Sequence, residues 1–271
     1  MNLFILAAGL GTRLKPLTDT MPKALVPVGG RALLQILIEK LQRQCDDPEI
    51  VINIHHFGQQ IIDFTASHHS FGLPIRFSDE HDQLLETGGG LRKAAPLFSN
   101  NDPILIHNVD ILSNVDLGAF YRQHAGDPDV AATLIVSQRT TKRYLLFDDD
   151  KRLVGWTNIE TGEVRSPYPW LRDAKLSQLE GNRYSVSSSP YSGESRGAVG
   201  LYAFSGIHIV SRSLIDLMDK WEGKFPIIDF YLSVCDRVVI RADVRPDLQL
   251  LDVGKLDSLA QAEAMVKSNL L

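Results

Sequence analysis

Short apolar runs alternate with stretches of helical spacing along the first half of the chain, and few folds accept that order. Leu3-Phe4-Ile5-Leu6, Glu49–Ile54 (EIVINI), Ile75-Arg76-Phe77, Ile104–His107 (ILIH) and Val130–Val136 read as strands. Between them Ala32–Leu41, Gly58–Ala66, Thr87–Ala95 and Leu117–His124 carry the spacing of helices. Strands that alternate with helices imply crossover units and a mostly parallel sheet, hence an α/β fold.

The second half changes character. Tyr144–Phe147 and Leu153–Trp156 flank Asp148-Asp149-Asp150-Lys151, which reads as a hairpin with a solvated polar turn rather than a metal site. Residues 177–197 hold seven serines with Gly181, Pro190, Gly193 and Gly197, the composition of a loop, with a flexible lid as the functional alternative. Ala198–Phe204, Val238–Ile240 and Leu248–Val253 resume as strands, and Leu256–Val266 suits a closing helix. No internal repeat is visible.

At 271 residues the chain is long enough for one large or two small domains. A net charge of −5 argues against a broad nucleic-acid footprint, though not against an anionic substrate held by local cations. No stretch approaches the roughly 18 apolar residues of a membrane helix, and the N-terminal run has no basic region before it, so it reads as a strand rather than a leader. Cys45 and Cys235 belong to no Cys-x-x-Cys pair, which leaves zinc and thioredoxin-like chemistry without support and fits a reducing, cytoplasmic location.

The chemistry is concentrated in Leu6–Lys23, LAAGLGTRLKPLTDTMPK. A strand empties into Ala7, Ala8, Gly9 and Gly11, followed by Thr12 and Arg13, with Lys23 behind Pro22. Glycine tolerates a tight turn and lets a ligand approach the backbone. Loop N–H groups with two cations suit polyanionic phosphate. Two better-known phosphate motifs fail: no Gly-x4-Gly-Lys-Ser/Thr exists, and Leu14 stands where the dinucleotide fingerprint needs its third glycine. What remains, Gly-x-Gly-Thr-Arg with a later Pro-Lys, resembles the signature of the sugar-1-phosphate nucleotidyltransferases, also called NDP-sugar pyrophosphorylases.

That resemblance implies a three-layer α/β/α, Rossmann-like domain with a smaller β-rich sugar-binding side. It implies one domain over 1–271, with residues 1–137 as the nucleotide-binding half and 138–271 as the sugar-binding half carrying the insertion 177–197. The reaction implied is NTP plus sugar-1-phosphate giving NDP-sugar plus pyrophosphate, with Mg²⁺, and no nucleic acid or membrane as partner. Such a transfer needs cationic help on the triphosphate, and open parallel sheets bind ligands at the carboxyl ends of their strands. Asp110, two residues beyond ILIH, and Asp252, ending Leu248–Leu251, both qualify. The resemblance makes them the paired Mg²⁺ ligands, Arg13 the holder of the departing phosphates, and Lys23 a contact of the α-phosphate or the incoming sugar-phosphate. Two departures stand beside them: Val109 where many relatives have Gly, and Lys255 where many have Thr.

Leu85-Glu86-Thr87-Gly88-Gly89-Gly90 occupies the segment that contacts the nucleobase in the family, which nominates Thr87, Gly88 and Gly89; Thr87 is equally a helix cap. This string, Phe204-Ser205-Gly206-Ile207 and Leu251-Asp252-Val253-Gly254 resemble the branch holding N-acetylmuramate-1-phosphate uridylyltransferases and mannose-1-phosphate guanylyltransferase-like members. The expectation is a uridylyltransferase for an N-acetylated amino-sugar phosphate. Trp156 and Asn158 fall where sugar contacts lie in the family; Glu160 offers an acceptor for a sugar hydroxyl, and Gly206, following the strand Ala198–Phe204, joins them as a sugar-side candidate. Lys142, Lys151 and Lys224 all remain open for its sugar-phosphate lysine. His55 and His56 read as loop residues, and the reaction needs no protein nucleophile. The alternatives are a mannose- or heptose-1-phosphate guanylyltransferase, a phosphocholine cytidylyltransferase with Trp156, Tyr168 and Trp170 as an aromatic cage, and a non-catalytic NTP-sensing subunit. A glycosyltransferase would need an Asp-x-Asp metal motif, and Asp127-Pro128-Asp129 reads instead as a turn.

Overall fold

A computed structural model describes residues 1–172, 174–187 and 195–268. The chain forms two compact units, one of Met1–Gly126, Ile209–Pro226 and the stretch from Leu248, the other of Asp127–His208 and Ile227–Asp247.

The first unit opens with β1 (Asn2–Leu6), β2 (Pro27–Val28), β3 (Arg31–Ala32), α1 (Leu33–Gln44), β4 (Glu49–Ile54) and α2 (Gly58–Ser67). It continues through β5 (Ile75–Asp79), α3 (Glu86–Ala94), β6 (Ile104–Asn108), β7 (Ile111–Ser113) and α4 (Leu117–Ala125). Strands β6, β1, β4 and β5 lie side by side and all parallel, with Phe4 between Val51 and Ile106 and Val51 beside Arg76. The runs of β6, β1 and β4 are largely apolar because both faces are covered; every residue of β4 is buried. The carboxyl ends Leu6, Ile54, Asp79 and Asn108 therefore share one edge of the sheet. The α/β class expected from the strand–helix order, in the α/β/α, Rossmann-like form that the resemblance implies, is the one observed.

The second unit holds β8 (Val130–Ser137), β9 (Arg143–Phe147), β10 (Leu153–Asn158), β11 (Glu163–Arg165), β12 (Lys175–Glu180), β13 (Arg183–Ser187) and most of β14 (Ser195–Val210). After β14 the chain returns to the first unit for α5 (Arg212–Asp216). It then adds α6 (Ile227–Val234) and β15 (Val239–Val244) to the second. It closes with β16 (Leu250–Asp252) and α7 (Asp257–Lys267) in the first. The hairpin expected around Asp148–Lys151 is present as β9–β10, with the Lys151 N–H donating to the Asp148 carbonyl at 3.1 Å.

Two readings are corrected, and one further element was not read from the sequence. Residues 177–197 are not one loop: β12 and β13 pair antiparallel and β13 pairs with β14, while 188–194 lie outside the described residues. Sparse apolar residues at alternate positions carry that hairpin. Leu176 faces Val186, and both join the cluster of Leu146, Val154, Leu171 and Val199. Gly206 does not follow a strand but sits inside β14, at φ +81°. Ile227–Val234, an apolar run with no clear period, is a helix with five of its residues buried.

Among the described residues no helix is long and apolar enough to cross a membrane.

Candidate active site

The glycine loop begins where β1 ends. Gly11 sits at φ +62°, a conformation that costs other L-residues, and a Cβ there would come within 2.9 Å of the Thr18 methyl. Its carbonyl accepts from the Leu14 N–H at 2.8 Å and the Thr18 hydroxyl at 2.9 Å, which closes the turn. Gly9 has nothing within 4 Å of where a Cβ would stand, so its smallness serves no packing. The N–H groups of Ala7 and Ala8 donate to Asn53 Oδ1, at 2.6 and 3.2 Å, rather than pointing into open space.

Asp110 and Asp252 are far apart in sequence and meet because β16 pairs antiparallel with β7, setting Asp252 opposite Ile111. The Val253 N–H then donates to the Asp110 carbonyl at 2.9 Å. Beneath them Leu112 and Val253 share a buried cluster with Leu14, Leu33 and Val266. Lys23 forms an ion pair with Asp110, and its Nζ lies 4.0 Å from Asp252 Oδ1. Arg13 Nη2 lies 3.7 Å from Asp252 Oδ2. Lys23 is buried to 9% exposure, whereas Arg13 and Asp252 are exposed. A Cβ on Gly254 would fall 2.6 Å from both Arg13 Nη2 and Asp252 Oδ1, so that glycine makes room for the pair.

The loop, Lys23, Asp110 and Gly254 line a cavity of about 390 Å³, together with Asn53, Glu86, Thr87 and Asn108. The two departures are accommodated. Val109 is buried, its N–H donating to the Leu6 carbonyl at 3.1 Å, and Lys255 is exposed in the turn that opens α7, its carbonyl accepting from Ser258 Oγ.

The first two glycines of the triple lie against segment 223–225. The N–H groups of Gly88 and Gly89 donate to the Phe225 carbonyl at 3.0 and 3.2 Å, and the Phe225 N–H returns a bond to the Leu85 carbonyl at 3.1 Å. A Cβ on Gly88 would stand 2.5 Å from Phe225 Cδ2, and one on Gly89 would overlap the Gly223 carbonyl. Thus the first two glycines let segment 223–225 lie directly on α3. Glu86, just before them, is held at φ +59° and pairs with Lys224 at 3.3 Å. Of the three candidate lysines, Lys224 is the one whose partner lines the cavity.

The expected sugar-side residues lie in the second unit and have local partners there. The Arg165 guanidinium stacks on Trp156 at 4.2 Å and bonds Asp229 at 2.8 Å. Asn158 Oδ1 accepts from the Glu160 N–H at 3.1 Å, and Glu160 pairs with Lys142 at 2.8 Å. Lys151 stands 5.8 Å from the Tyr202 ring. Tyr168 donates to the Cys235 carbonyl at 2.9 Å, and Tyr168 and Trp170 pack on the cluster around Leu171. Asp127 pairs with Arg241 at 2.5 Å, which anchors the Asp-Pro-Asp turn. His55 Nδ1 lies 2.8 Å from the Glu80 carbonyl, and His56 packs on Phe57.

Two buried bases lie on α1 and β6. Burial lowers the His107 pKa to about 4, against the opposing pull of its bond to the Asn108 carbonyl, so the imidazole is neutral at pH 7. Burial, reinforced by Arg43, lowers Lys40 to about 8, and its Nζ donates to the Ser113 carbonyl at 2.5 Å. Asn53 was not singled out in the sequence. Its signal was there: an amide set between two isoleucines of a buried strand needs a hydrogen-bonding reason.

The family described as nucleotidyl transferase matches residues 3–157, more than half of the chain. N-acetylmuramate alpha-1-phosphate uridylyltransferase of Neisseria meningitidis serogroup B is 39% identical over 129 residues, 48% of this chain and 55% of that relative. Mannose-1-phosphate guanyltransferase of Pichia angusta is 33% identical over 141 residues, 50% of this chain and 38% of its own length. The chain thus spans about half or less of the curated relatives it matches. Among solved structures, the inositol-1-phosphate CTP transferase from T. maritima has a TM-score of 0.68 at 11% identity, covering 100% of this chain and 97% of its own. HddC from Yersinia pseudotuberculosis complexed with GMP-PN has a TM-score of 0.62 at 22%, covering 98% and 99%. These two show a shared fold. With the glycine loop, the carboxylate pair and a family match across the parallel sheet, the chain belongs to the nucleotidyl transferase family.

Proposed function

We propose that this protein joins a nucleoside triphosphate to a sugar-1-phosphate, releasing pyrophosphate and an NDP-sugar. The observation that carries the reading is the meeting of Asp110, Lys23 and Arg13 beside the glycine loop in one cavity, with Asp252 within 4.0 Å of both cations. An oxygen of the sugar-phosphate attacks the α-phosphorus, and charge moves onto the departing pyrophosphate. Arg13 and the loop neutralise that charge, and Lys23 holds the α-phosphate or the incoming phosphate. The chain's chief contribution is alignment and charge neutralisation, with no covalent intermediate.

The residues fit a hard divalent cation. Among the described residues no group of three or more His, Cys, Asp or Glu is arranged to hold a metal ion by itself, and the pair offers oxygen alone. Mg²⁺ binds in that way, through one or two carboxylates with substrate oxygens and water completing its shell. Asp110 and Asp252 would hold it. When bound, such an ion neutralises phosphate oxygens and polarises the phosphorus.

We assign the nucleotide to residues 1–137, with Leu6 to Thr12 on the phosphates and Thr87, Gly88 and Gly89 on the base side. The sugar falls to 138–271, with Trp156, Asn158, Glu160 and Gly206. The base is uracil and the sugar an N-acetylated amino sugar, supported by the 39% identical relative; the location is cytoplasmic. A second reading, guanylyl transfer to mannose- or heptose-1-phosphate, is favoured by the 33% identical guanyltransferase. The test is pyrophosphate release with each of the four NTPs against N-acetylmuramate-1-phosphate, mannose-1-phosphate and a heptose-1-phosphate. Highest kcat/KM for UTP with the first supports the assignment. A preference for GTP with either of the others replaces it by the second reading, and no release with any pair removes both.

A further inference from the structure

A buried hydrogen-bonded link joins two walls of the cavity. Asn53 lies near the end of β4 at 3% exposure, and Glu80 follows β5 at 1%. Asn53 Oδ1 accepts from the N–H groups of Ala7 and Ala8, where the glycine loop starts. Its Nδ2 donates to Glu80 Oε1 at 2.7 Å. Glu80 Oε2 accepts from the Leu85 N–H at 2.9 Å, at the residue before α3. The chain of bonds therefore runs from the phosphate loop through two side chains to the helix that carries Glu86 and Thr87.

The chemistry of this link is specific. Two N–H donors face one end of the Asn53 amide and a carboxylate faces the other, so the amide has one satisfied orientation. Glu80 is also fixed by its backbone, its N–H donating to the Ile54 carbonyl at 2.8 Å. The third glycine serves the same link. A Cβ on Gly90 would come within 2.9 Å of Glu80 Oε1 and 3.3 Å of Asn53 Nδ2. A polar network this deeply buried holds its geometry only while every partner is matched.

We propose that Asn53 and Glu80 are a positioning pair that sets the spacing between the phosphate loop and α3, and so the grip on the nucleotide. The inference rests on the reading that this cavity takes an NTP. A link of this kind acts on nucleotide affinity and leaves the sugar-phosphate alone, which separates it from a general structural role.

The link can be inverted. Asn53→Asp keeps the acceptor for the loop but sets two carboxylates against each other. Glu80→Gln breaks one of the two bonds that Glu80 accepts, whichever way the new amide turns. In Asn53→Asp/Glu80→Gln the carboxylate at 53 accepts from the loop and from the amide at 80, whose oxygen accepts from Leu85. Every bond returns and the net charge is that of wild type. The experiment measures UTP dissociation constants by calorimetry on folded protein, with KM for both substrates. Each single variant should weaken UTP by about tenfold or more, the loss of roughly one charge-assisted hydrogen bond, with KM for the sugar-phosphate unchanged. The double variant should return to within about threefold of wild type. Unchanged UTP affinity in folded single variants, or defects that multiply in the double variant, overturns the proposal. If a single variant does not fold, the double variant decides: near-wild-type affinity supports the link, and a tenfold or greater loss overturns it. Wild-type protein that binds none of the four NTPs overturns the NTP reading itself, and the link's role with it.

Discussion

Replacing Gly88 with alanine tests whether the triple glycine of α3 is a packing device. Two effects oppose each other. Alanine in a helix interior gains roughly 1 kcal/mol over glycine. The added Cβ, however, would stand 2.5 Å from Phe225 Cδ2 and 2.9 Å from the Phe225 carbonyl oxygen. Carbon atoms pack at about 3.5–4.0 Å, so segment 223–225 must retreat by roughly 1 Å. Phe225 has little room to do so: it is 5% exposed and packs on Trp221, with ring centroids 4.9 Å apart. Overpacking of this kind costs about 1–3 kcal/mol. Retreat also stretches the bonds from the Gly88 and Gly89 N–H groups and from the Phe225 N–H, worth about 1 kcal/mol each when made well. The net expectation is destabilisation of about 2 kcal/mol, or about 4–8 °C in Tm at the scale of domains of 150–250 residues. Urea unfolding should show a lower midpoint with an unchanged m-value. Gly89→Ala should be worse, because its obstacle is a backbone carbonyl that cannot rotate away. A Gly88→Ala protein as stable as wild type, or more stable by the helix propensity alone, would refute the packing account.

Further outcomes follow from the charges and the buried groups. Arg13→Ala should lower kcat more than it raises KM for NTP, because the charge it faces develops in the transition state; a change in KM alone would reduce Arg13 to ground-state binding. His107 gives the protein an acid limb. Unfolded, its imidazole takes a proton near pH 6.5, but the folded chain refuses one until about pH 4. The unfolded state therefore binds the extra proton between those values, and stability falls as pH falls through that window, by up to about 3 kcal/mol. Urea titrations of His107→Gln should lack this component, and an identical pH profile in the variant would contradict it. Burial pushes the Cys45 thiol up to about 11 and Cys235 to about 12. Native protein should then react far more slowly with a disulfide reagent at pH 7.5 than urea-unfolded protein, and rapid native labelling would count against that burial.

The fold was legible wherever burial imposed a clean pattern. EIVINI spans the same residues as β4 because a strand covered on both faces is apolar along its length, Glu49 at its start and Asn53 near its end excepted. The carboxylates were legible one at a time, since each ends or follows a strand. Their meeting was not, because it depends on β7, three residues long, pairing with β16 across the sequence. Gly88, Gly89 and Gly90 were visible, but the neighbours they admit were not. A glycine that admits a ligand and one that admits Phe225 or Glu80 look alike until the neighbours are known. The serine-rich hairpin escaped notice because Leu176, Tyr184 and Val186 carry its burial alone, below what composition reveals. Segment 227–234 escaped because a short run that is apolar on all sides has no period to read.

The central claim is that Asp110 and Asp252 serve one metal-assisted nucleotidyl transfer. Its most direct test is pyrophosphate release from UTP and N-acetylmuramate-1-phosphate at saturating Mg²⁺ by Asp110→Asn, Asp252→Asn and the double variant, each checked for folding. Two residues acting as a unit should each cost at least about 10²-fold in turnover, and the double variant should be little worse than the poorer single one. Near-normal turnover in either folded single variant, or losses that multiply in the double, would contradict the claim.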